Sequence, residues 1–291
     1  MMKITFAPAM DVTQACVRRR FRHASCHACA DVCPAQAFSV TDGQVTIDPS
    51  RCIECGDCLF VCPTDAISGV VPQRRFINSD TLTGPFAVHP PTVNELLLWH
   101  AQYGIRFISI DAESSSAWMV ALARLNLALR RLGEPAWSFK AVPASDISLS
   151  RRALIHAPRE DVKACTVQPG KRQLRQAFPR FSEFDVIPDT EKCILCGACW
   201  RSCPEKAIRF EDNALVMENA RCTGCGGCEA VCPSHAIKVM PAEGEAQQHT
   251  WEAQAATCTS CSRPFWRFNA DEKQCYLCAG QTQSMRNLTC C

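Results

Sequence analysis

The sequence lacks the features of a membrane or secreted protein. No apolar run approaches the roughly 20 residues that are needed to cross a bilayer. The opening segment, Met1 to Pro8, contains neither an apolar core nor a cleavage site for a secretory signal. We therefore expect a cytoplasmic protein without a transmembrane segment, in a compartment where thiols stay reduced.

Cysteine, in contrast, is abundant, with 23 among the 291 residues. Clustered cysteines in a reducing compartment are metal ligands first. Most of them fall in two regions that repeat each other at an offset of 170 positions, as from Cys26 to Cys196, without insertion or deletion. The repeated pairs are Cys26/Cys196, Cys29/Cys199, Cys33/Cys203, Cys52/Cys222, Cys55/Cys225, Cys58/Cys228 and Cys62/Cys232. One module is therefore used twice.

The second copy contains two complete Cys-x2-Cys-x2-Cys-x3-Cys-Pro runs, which begin at Cys193 and Cys222. Three thiolates spaced in this way wrap three corners of one iron–sulfur cube, and the fourth, before proline, ligates the neighbouring cluster. Two [4Fe–4S] sites are therefore predicted here. Site C consists of Cys193, Cys196, Cys199 and Cys232, and site D consists of Cys222, Cys225, Cys228 and Cys203.

The first copy has one complete run and one incomplete run. The complete run predicts site B, which consists of Cys52, Cys55, Cys58 and Cys33. In the incomplete run, His23 stands where the second copy has Cys193, so the fourth ligand of site A is open. The alternatives are Cys16, His23 itself, or a [3Fe–4S] cluster. Cys16 is favoured because thiolate suits cubane iron better than imidazole does. Site A then consists of Cys16, Cys26, Cys29 and Cys62.

These runs resemble those of the bacterial ferredoxin family that binds two [4Fe–4S] clusters, over roughly residues 16–70 and 188–242. The resemblance implies short β-hairpins and small helices around paired clusters. It also implies one-electron transfer rather than enzymatic catalysis.

The overall plan is similar to ferredoxin-type proteins associated with molybdenum enzymes such as formate dehydrogenase, which implies a redox protein as the partner. Four clusters of about −2 each would bring the formal charge from +2 to about −6. That charge argues against a nucleic-acid partner, because nucleic acid needs a net basic surface.

Residues 84–145, between the two copies, contain no cysteine and show regular periodicity. Thr92 to Glu95 form a capping box that starts a helix, and an apolar face from Trp118 to Leu132 predicts a second helix. Strands are predicted at Phe86 to Val88, Ile105 to Ile110 and Trp137 to Val142. The order β-α-β-α-β indicates a small parallel sheet. No glycine-rich phosphate loop follows its first strand, so we expect a structural or docking domain.

The tail carries a different cysteine pattern. Two Cys-x2-Cys pairs separated by 13 residues form the tail site, which consists of Cys258, Cys261, Cys275 and Cys278. This spacing is typical of a tetrahedral, all-thiolate zinc ribbon. A single rubredoxin-like iron is the alternative, although the usual Cys-Pro-x-Cys-Gly pair is absent. We expect Phe265, Trp266 and Phe268 to form the small core of the ribbon, and the metal to supply most of its folding free energy.

Together these patterns predict an α+β protein with two ferredoxin-like modules separated by a small α/β domain, followed by a zinc-ribbon-like tail. The predicted segments are a first module at 1–72, an α/β domain at 84–145, a linker at 146–187, a second module at 188–245 and the tail at 255–291. The predicted function is an electron relay to or from an oxidoreductase. The alternative is a redox-active maturation factor that binds only the apoenzyme.

Overall fold

The computed structural model describes residues 9–110, 116–140 and 162–279, which fall into two compact units. The first unit contains Met1–Thr13, His27–Val40 and Val45–Phe178, and the second contains Gln14–Cys26, Thr41–Gln44 and Pro179–Cys291. Within the described ranges, no helix combines the length and the apolar character that crossing a membrane requires. Helices and strands are mixed throughout, as the sequence predicted.

The helices are short in the cysteine-rich regions and longer between them. The first region contains β1 (Asp11–Val12), α1 (Val17–Arg20), α2 (Ala28–Val32), β2 (Phe38–Thr41), β3 (Gln44–Ile47), α3 (Asp57–Val61) and β4 (Ile67–Ser68). The middle contains β5 (Arg75–Asn78), β6 (Thr81–Thr83), α4 (Val93–Tyr103), β7 (Phe107–Ser109), α5 (Ser116–Arg131), β8 (Ser138–Phe139), β9 (Lys163–Cys165) and α6 (Lys171–Ala177). The remainder contains β10 (Phe181–Pro188), α7 (Ala198–Ser202), β11 (Ile208–Glu211), β12 (Ala214–Glu218), a 3-10 turn (Asn219–Arg221), α8 (Gly227–Ala230), β13 (Ile237–Glu245), β14 (Gln248–Glu252), β15 (Gln254–Thr257) and β16 (Pro264–Arg267).

The middle of the first unit is a five-stranded mixed sheet in the order β8-β7-β6-β5-β9. Strands β6, β7 and β8 are parallel, and β5 runs antiparallel to both β6 and β9. Helix α4 begins at the capping box, where the Thr92 hydroxyl accepts a hydrogen bond from the Glu95 backbone N–H at 3.2 Å. Helix α5 buries the predicted apolar face, including Leu125 and Leu129. The predicted order β-α-β-α-β is therefore present as β6-α4-β7-α5-β8.

The strand expected at Phe86 to Val88 is wrong, because the first parallel strand is β6 at Thr81–Thr83. Residues 86 and 87 instead cover helix α5. The Phe86 ring meets the Trp118 ring edge-on with centroids 4.8 Å apart, and the Trp118 indole donates to the Ala87 carbonyl at 2.8 Å. Pro85 has no backbone N–H to give to a sheet ladder, so the strand ends before it.

The segment expected to be a linker is largely structured where the structure describes it. Residues 162–187 contain β9, α6 and most of β10, while residues 146–161 and the end of the strand expected at Trp137 to Val142 lie outside the described residues. Helix α6 was missed because most of its residues are polar, with Leu174 almost fully buried as its apolar anchor. Strand β9 is three residues long, too short to show a period.

The second unit is built on longer strands. Strand β10 pairs antiparallel with β13 from Pro188↔Ile237 to Phe181↔Glu245, with an irregularity between Ser182 and Phe184. Strands β11, β12 and β14 form a separate antiparallel sheet, and β15 and β16 form the hairpin of the tail. Its apolar core includes Val186, Leu215 and Met217, which pack with the site D cysteines Cys222 and Cys228.

Candidate metal centres

Site B lies in the first unit, in the loop before α3 and the turn after α2. Burial raises the pKa of the Cys58 thiol to about 12, and Cys55, Cys29, Cys52 and Cys33 add to the rise as nearby charges. All four cysteines of site B are therefore electrostatic neighbours. Thiols in such a group stay protonated unless positive charge is supplied, and bound metal supplies it.

Site D lines a cavity in the second unit. Its four members, Cys203, Cys222, Cys225 and Cys228, share that cavity with Thr223, Val186 and Met217. Burial raises the pKa of the Cys228 thiol, and Cys225, Cys222 and Cys203 raise it further. An enclosed group of four thiols with apolar walls fits an iron–sulfur cluster.

Site C lies beside α7, also in the second unit. Burial raises the pKa of the Cys199 thiol to about 12, and Cys193, Cys196 and Cys232 contribute to the rise. Every predicted member of site C is thus close enough to influence Cys199. The Trp200 backbone N–H that follows Cys199 acts in the opposite direction and favours the thiolate.

A backbone feature recurs at the cysteine that precedes proline. The alanine four residues later donates its N–H to the sulfur in three cases: Ala37 to Cys33 at 3.3 Å, Ala66 to Cys62 at 3.2 Å and Ala236 to Cys232 at 3.2 Å. The intervening residues Gln36, Asp65 and His235, and Lys206 in the fourth copy, have positive φ between 49° and 51°. This left-handed turn directs the N–H toward the sulfur. The repeated Cys-Pro-x-x-Ala pattern was the available sequence signal for this turn, and sequence reasoning did not use it.

The members of site A are divided between the two units. Cys29 and Cys62 belong to the first unit, whereas Cys16 and Cys26 belong to the second. Cys16 stands directly before α1, and His23 lines a surface depression of the second unit together with Glu229, Cys232 and His235. The ligand set of site A stays a prediction, with Cys16 and His23 both available.

The segment that carries Cys16 is held in the second unit by specific contacts. Phe21 and Val17 pack against Gly227, and the Arg20 guanidinium donates to the Ser202 carbonyl at 3.4 Å. The Arg18 guanidinium donates to the Cys26 carbonyl. Two of the arginines in this basic run are therefore engaged with backbone carbonyls.

The four sulfurs of the tail site lie close together. Cys258, Cys261, Cys275 and Cys278 have ligand atoms within 4.8 Å of one another, and the Cys261 and Cys275 sulfurs are 3.8 Å apart. A tetrahedron with metal–sulfur bonds of about 2.3 Å has sulfur–sulfur edges of about 3.8 Å. The backbone N–H groups of Cys275, Cys261 and Ser260 lower the pKa of the Cys258 thiol. The geometry thus fits a single metal ion.

The tail aromatics pack differently from the sequence expectation. Instead of forming a core of their own, Trp266 lies 5.5 Å from the Phe210 ring, and Phe268 packs against the core of the second module. Phe210 in turn stacks on Trp200 at 5.3 Å, next to the site C ligand Cys199. Trp266 and Phe268 therefore pack on the apolar surface of the neighbouring module.

Groups of four buried or half-buried thiols, with backbone N–H groups directed at their sulfurs, define an iron–sulfur protein of the dicluster ferredoxin type. Two family models, each described as a 4Fe-4S dicluster domain, match the chain; one matches residues 185–233, and the other residues 24–66 and 221–280. The ferredoxin-like protein in the nif region of Azotobacter vinelandii is 35% identical over 87 residues, which are 23% of this chain and 87% of that protein. The chain therefore belongs to the 4Fe–4S dicluster ferredoxin family, and it carries the module twice.

Two longer relatives are named as components of larger enzymes. A tetrathionate reductase component of Salmonella typhimurium is 38% identical over 85 residues, 28% of this chain and 31% of that protein. The formate dehydrogenase iron-sulfur subunit of Wolinella succinogenes is 49% identical over 74 residues, 23% of this chain and 37% of that protein. The chain thus spans less than half the length of these two relatives. The family match in the first copy begins at residue 24, after both Cys16 and His23.

Proposed function

We propose that the protein relays single electrons to or from a partner oxidoreductase through four [4Fe–4S] clusters. The observation that carries this proposal is the cavity of site D, which four cysteines line together with apolar side chains. A bound [4Fe–4S] cluster takes up and releases one electron. The chain holds such a cluster by thiolates, directs backbone N–H groups at its sulfurs and keeps water away with residues such as Val186 and Met217.

The proposed ligand sets are those predicted from spacing. Sites B, C and D each bind one cluster through the cysteines already given, and site A binds the remaining one through Cys16, Cys26, Cys29 and Cys62. Electrostatic proximity supports sites B, C and D. The proposed compartment is the cytoplasm, where thiols stay reduced and available to metal.

For the tail site we propose a structural zinc ion. The 3.8 Å separation of the Cys261 and Cys275 sulfurs suits one tetrahedral ion, and closed all-cysteine sites of this kind are typically zinc. With the metal bound, the hairpin β15–β16 presents Trp266 to Phe210. The tail then covers the second module near site C.

The proposed partner is a redox protein, specifically a molybdenum oxidoreductase such as formate dehydrogenase. Support comes from the relatives, two of which are named as parts of a tetrathionate reductase and a formate dehydrogenase. An electron carrier of this kind should co-purify with its enzyme in stoichiometric amount. A maturation factor would instead bind the apoenzyme alone.

The experiment that tests the relay is anaerobic purification of the full chain, with metal counts and EPR. Four clusters and one tail ion correspond to about 16 iron and about one zinc per chain. Dithionite should reduce the protein, and an oxidised acceptor should restore the starting spectrum. A count near eight iron would reject the four-cluster proposal, and colourless protein without acid-labile sulfide would reject the relay itself.

The fourth ligand of site A is tested by two matched variants. Cys16→Ser should convert one cluster to [3Fe–4S] or remove it, because a thiolate is lost from the cube. His23→Ala should leave the iron count and the EPR spectrum unchanged. The reverse result would assign His23 as the ligand, and no change in either variant would indicate a three-iron cluster in the native protein.

A further inference from the structure

Sites B and D occupy equivalent positions in the two copies, so differences between them must come from residues other than cysteine. Two such differences lie directly beside the ligands. Asp57 of the first copy stands where the second copy has Gly227, and Ile53 stands where the second copy has Thr223. A reduction potential depends on nearby charge and on hydrogen bonds to the cluster sulfurs, and these replacements change both.

At site B, Asp57 places a buried carboxylate between two ligands. It is the first residue of α3, between Cys55 and Cys58, and its side chain is 3% exposed. The pKa of the Cys55 thiol is raised mainly by burial, and the Asp57 carboxylate adds to the rise, so its charge reaches a sulfur of this site. Because reduction adds negative charge to a cluster, a fixed anion nearby opposes it.

The neighbours of Asp57 hold its carboxylate in place. His89 Nε2 lies 2.7 Å from Asp57 Oδ2, and the His89 side chain is 44% exposed. Arg75, a buried cation of the first unit, is paired with Glu95, and one contact of that pair is 3.2 Å long. The His89 contact holds the Asp57 carboxylate beside the site B ligands.

At site D the residues at these two positions are neutral, and one of them is a hydrogen-bond donor. The Glu205 carboxylate also lines this cavity and raises the pKa of the Cys225 thiol. Its side chain is only partly buried, so water screens its charge more than that of the buried aspartate at site B. Gly227 brings no charge. Thr223 is 3% exposed, it lines the cavity of the four cysteines, and its hydroxyl has no hydrogen-bond partner among the residues the structure describes. A buried hydroxyl without a partner costs about 1–3 kcal/mol, and a cluster sulfur in this cavity is the acceptor available to it. The counterpart Ile53 has no donor and is 57% exposed.

We infer that the two copies hold their equivalent clusters at different reduction potentials, lower at site B because of the Asp57 carboxylate and higher at site D because of the Thr223 hydroxyl. The inference rests on the proposed relay. In a transfer from site B to site D, the site B cluster loses one electron and is oxidised. The site D cluster gains that electron and is reduced. No proton or further reagent is needed, so an electron shared between the copies resides mainly at site D.

The test is a redox titration of the anaerobic full chain, followed by EPR at pH 8, where imidazole groups are ordinarily neutral. Asp57→Asn removes the charge and keeps the side-chain size. It should raise the reduced-to-oxidised ratio of one cluster at least threefold at fixed solution potential. For a one-electron couple, this ratio corresponds to a rise of about 28 mV in the reduction potential. Asp31→Asn is the matched control, because Asp31 is an exposed carboxylate two residues from the site B ligand Cys33. Water screens it, so the shift should be much smaller.

At site D, Thr223→Val removes the hydroxyl and should lower the ratio for a different cluster by a similar factor, whereas Thr223→Ser should keep the native value. If Asp57→Asn or Thr223→Val reduces cluster loading, Asp57→Ser and Thr223→Ala repeat the test with smaller side chains. In the native protein, the component that responds at position 57 should have the lower potential. Unchanged midpoints with full iron content, shifts in the opposite direction, or a single component that responds to both changes would overturn the inference. Absence of reducible clusters in the native protein would instead reject the proposed relay.

Discussion

The two ferredoxin-like modules share their cysteine spacing but are supported by different structures. In the first module the flanking strands β1 and β4 pair over two residues each. Its helix α3 is bonded to the middle domain, where the Asn94 amide donates to the Phe60 carbonyl at 2.9 Å. In the second module the equivalent strands β10 and β13 pair almost throughout, from Pro188↔Ile237 to Phe181↔Glu245. Ligand spacing therefore fixes each metal loop, while the support for that loop comes from whatever structure lies next to it in the same unit.

The largest expected loss of stability follows from breaking a buried ion pair in the domain next to the first module. Arg75 and Glu95 form a buried ion pair with side chains 8% and 1% exposed, and the Trp99 indole also donates to Glu95 at 3.2 Å. Glu95→Gln would leave the Arg75 charge buried without its partner, at a cost of about 3–5 kcal/mol. Hydrogen-exchange mass spectrometry should show lost protection in α4 and in the sheet around β5.

The double variant Arg75→Met/Glu95→Gln is the matched control. It removes the unpaired charge of Arg75, so it should restore most of the lost protection against hydrogen exchange. The second unit should keep its protection in both variants. Equal loss of protection in the two units would contradict the view that each module depends on its own local support.

The next largest effect is expected at Gly224 in the second module. Its φ is +71°, and an added Cβ would lie 2.3 Å from the Phe184 ring. Gly224→Ala should therefore cost about 2–4 kcal/mol through overpacking and left-handed backbone strain. Iron content should fall by about four per chain as site D fails to load.

The corresponding residue of the first module provides the control for Gly224. Glu54 is exposed and already adopts a φ of 54°. Glu54→Gly should be neutral or slightly stabilising, since glycine enters the left-handed region without a steric penalty. A loss of stability at Gly224 no larger than the gain at Glu54 would mean that backbone conformation alone, rather than contact with Phe184, sets the requirement at Gly224.

The metal loops could be predicted from sequence alone because covalent spacing is a local property. The two complete runs of the second copy, the capping box at Thr92 and the apolar face of α5 all depend on neighbours within a few residues. Strand β9 was missed because it forms by pairing with a distant partner, Cys165 with Arg75 for example. Strands β5 and β6 were missed because neither is longer than four residues, which is too short to show a clear period. The α/β domain therefore extends beyond the boundaries that composition indicated.

The residues beside the ligands were harder to foresee than the ligands. Nothing in the sequence says that Asp57 is buried or that His89, 32 positions later, lies 2.7 Å from it. The unpartnered hydroxyl of Thr223 likewise depends on burial, which only the folded cavity creates. The fourth ligand of site A has the same difficulty, because its candidates approach through tertiary structure.

A smaller effect is expected at the tail, which packs against the second module. Cys275→Ser should reduce zinc from about one per chain to near zero, because three thiolates no longer close the tetrahedral site. Iron should stay near 16 per chain. Limited proteolysis should then cut within residues 254–279, since such a ribbon depends on its metal for folding. A loss of four or more iron would mean that the tail contributes to the redox sites themselves.

The smallest effect is expected at the hydrogen bond that ties α3 to α4 in the first module. Asn94→Ala removes the donor to the Phe60 carbonyl, which costs about 1 kcal/mol, or about a fivefold loss of exchange protection in α3. Gln102→Ala is the matched control on the same helix, because Gln102 bonds to the Gln168 backbone instead. If Asn94→Ala also lowers the iron content, α4 holds site B in its metal-binding conformation. If protection in α3 is unchanged, the two-residue pairing of β1 with β4 and the cluster itself are sufficient, and the first module is less dependent on its neighbour than its contacts indicate.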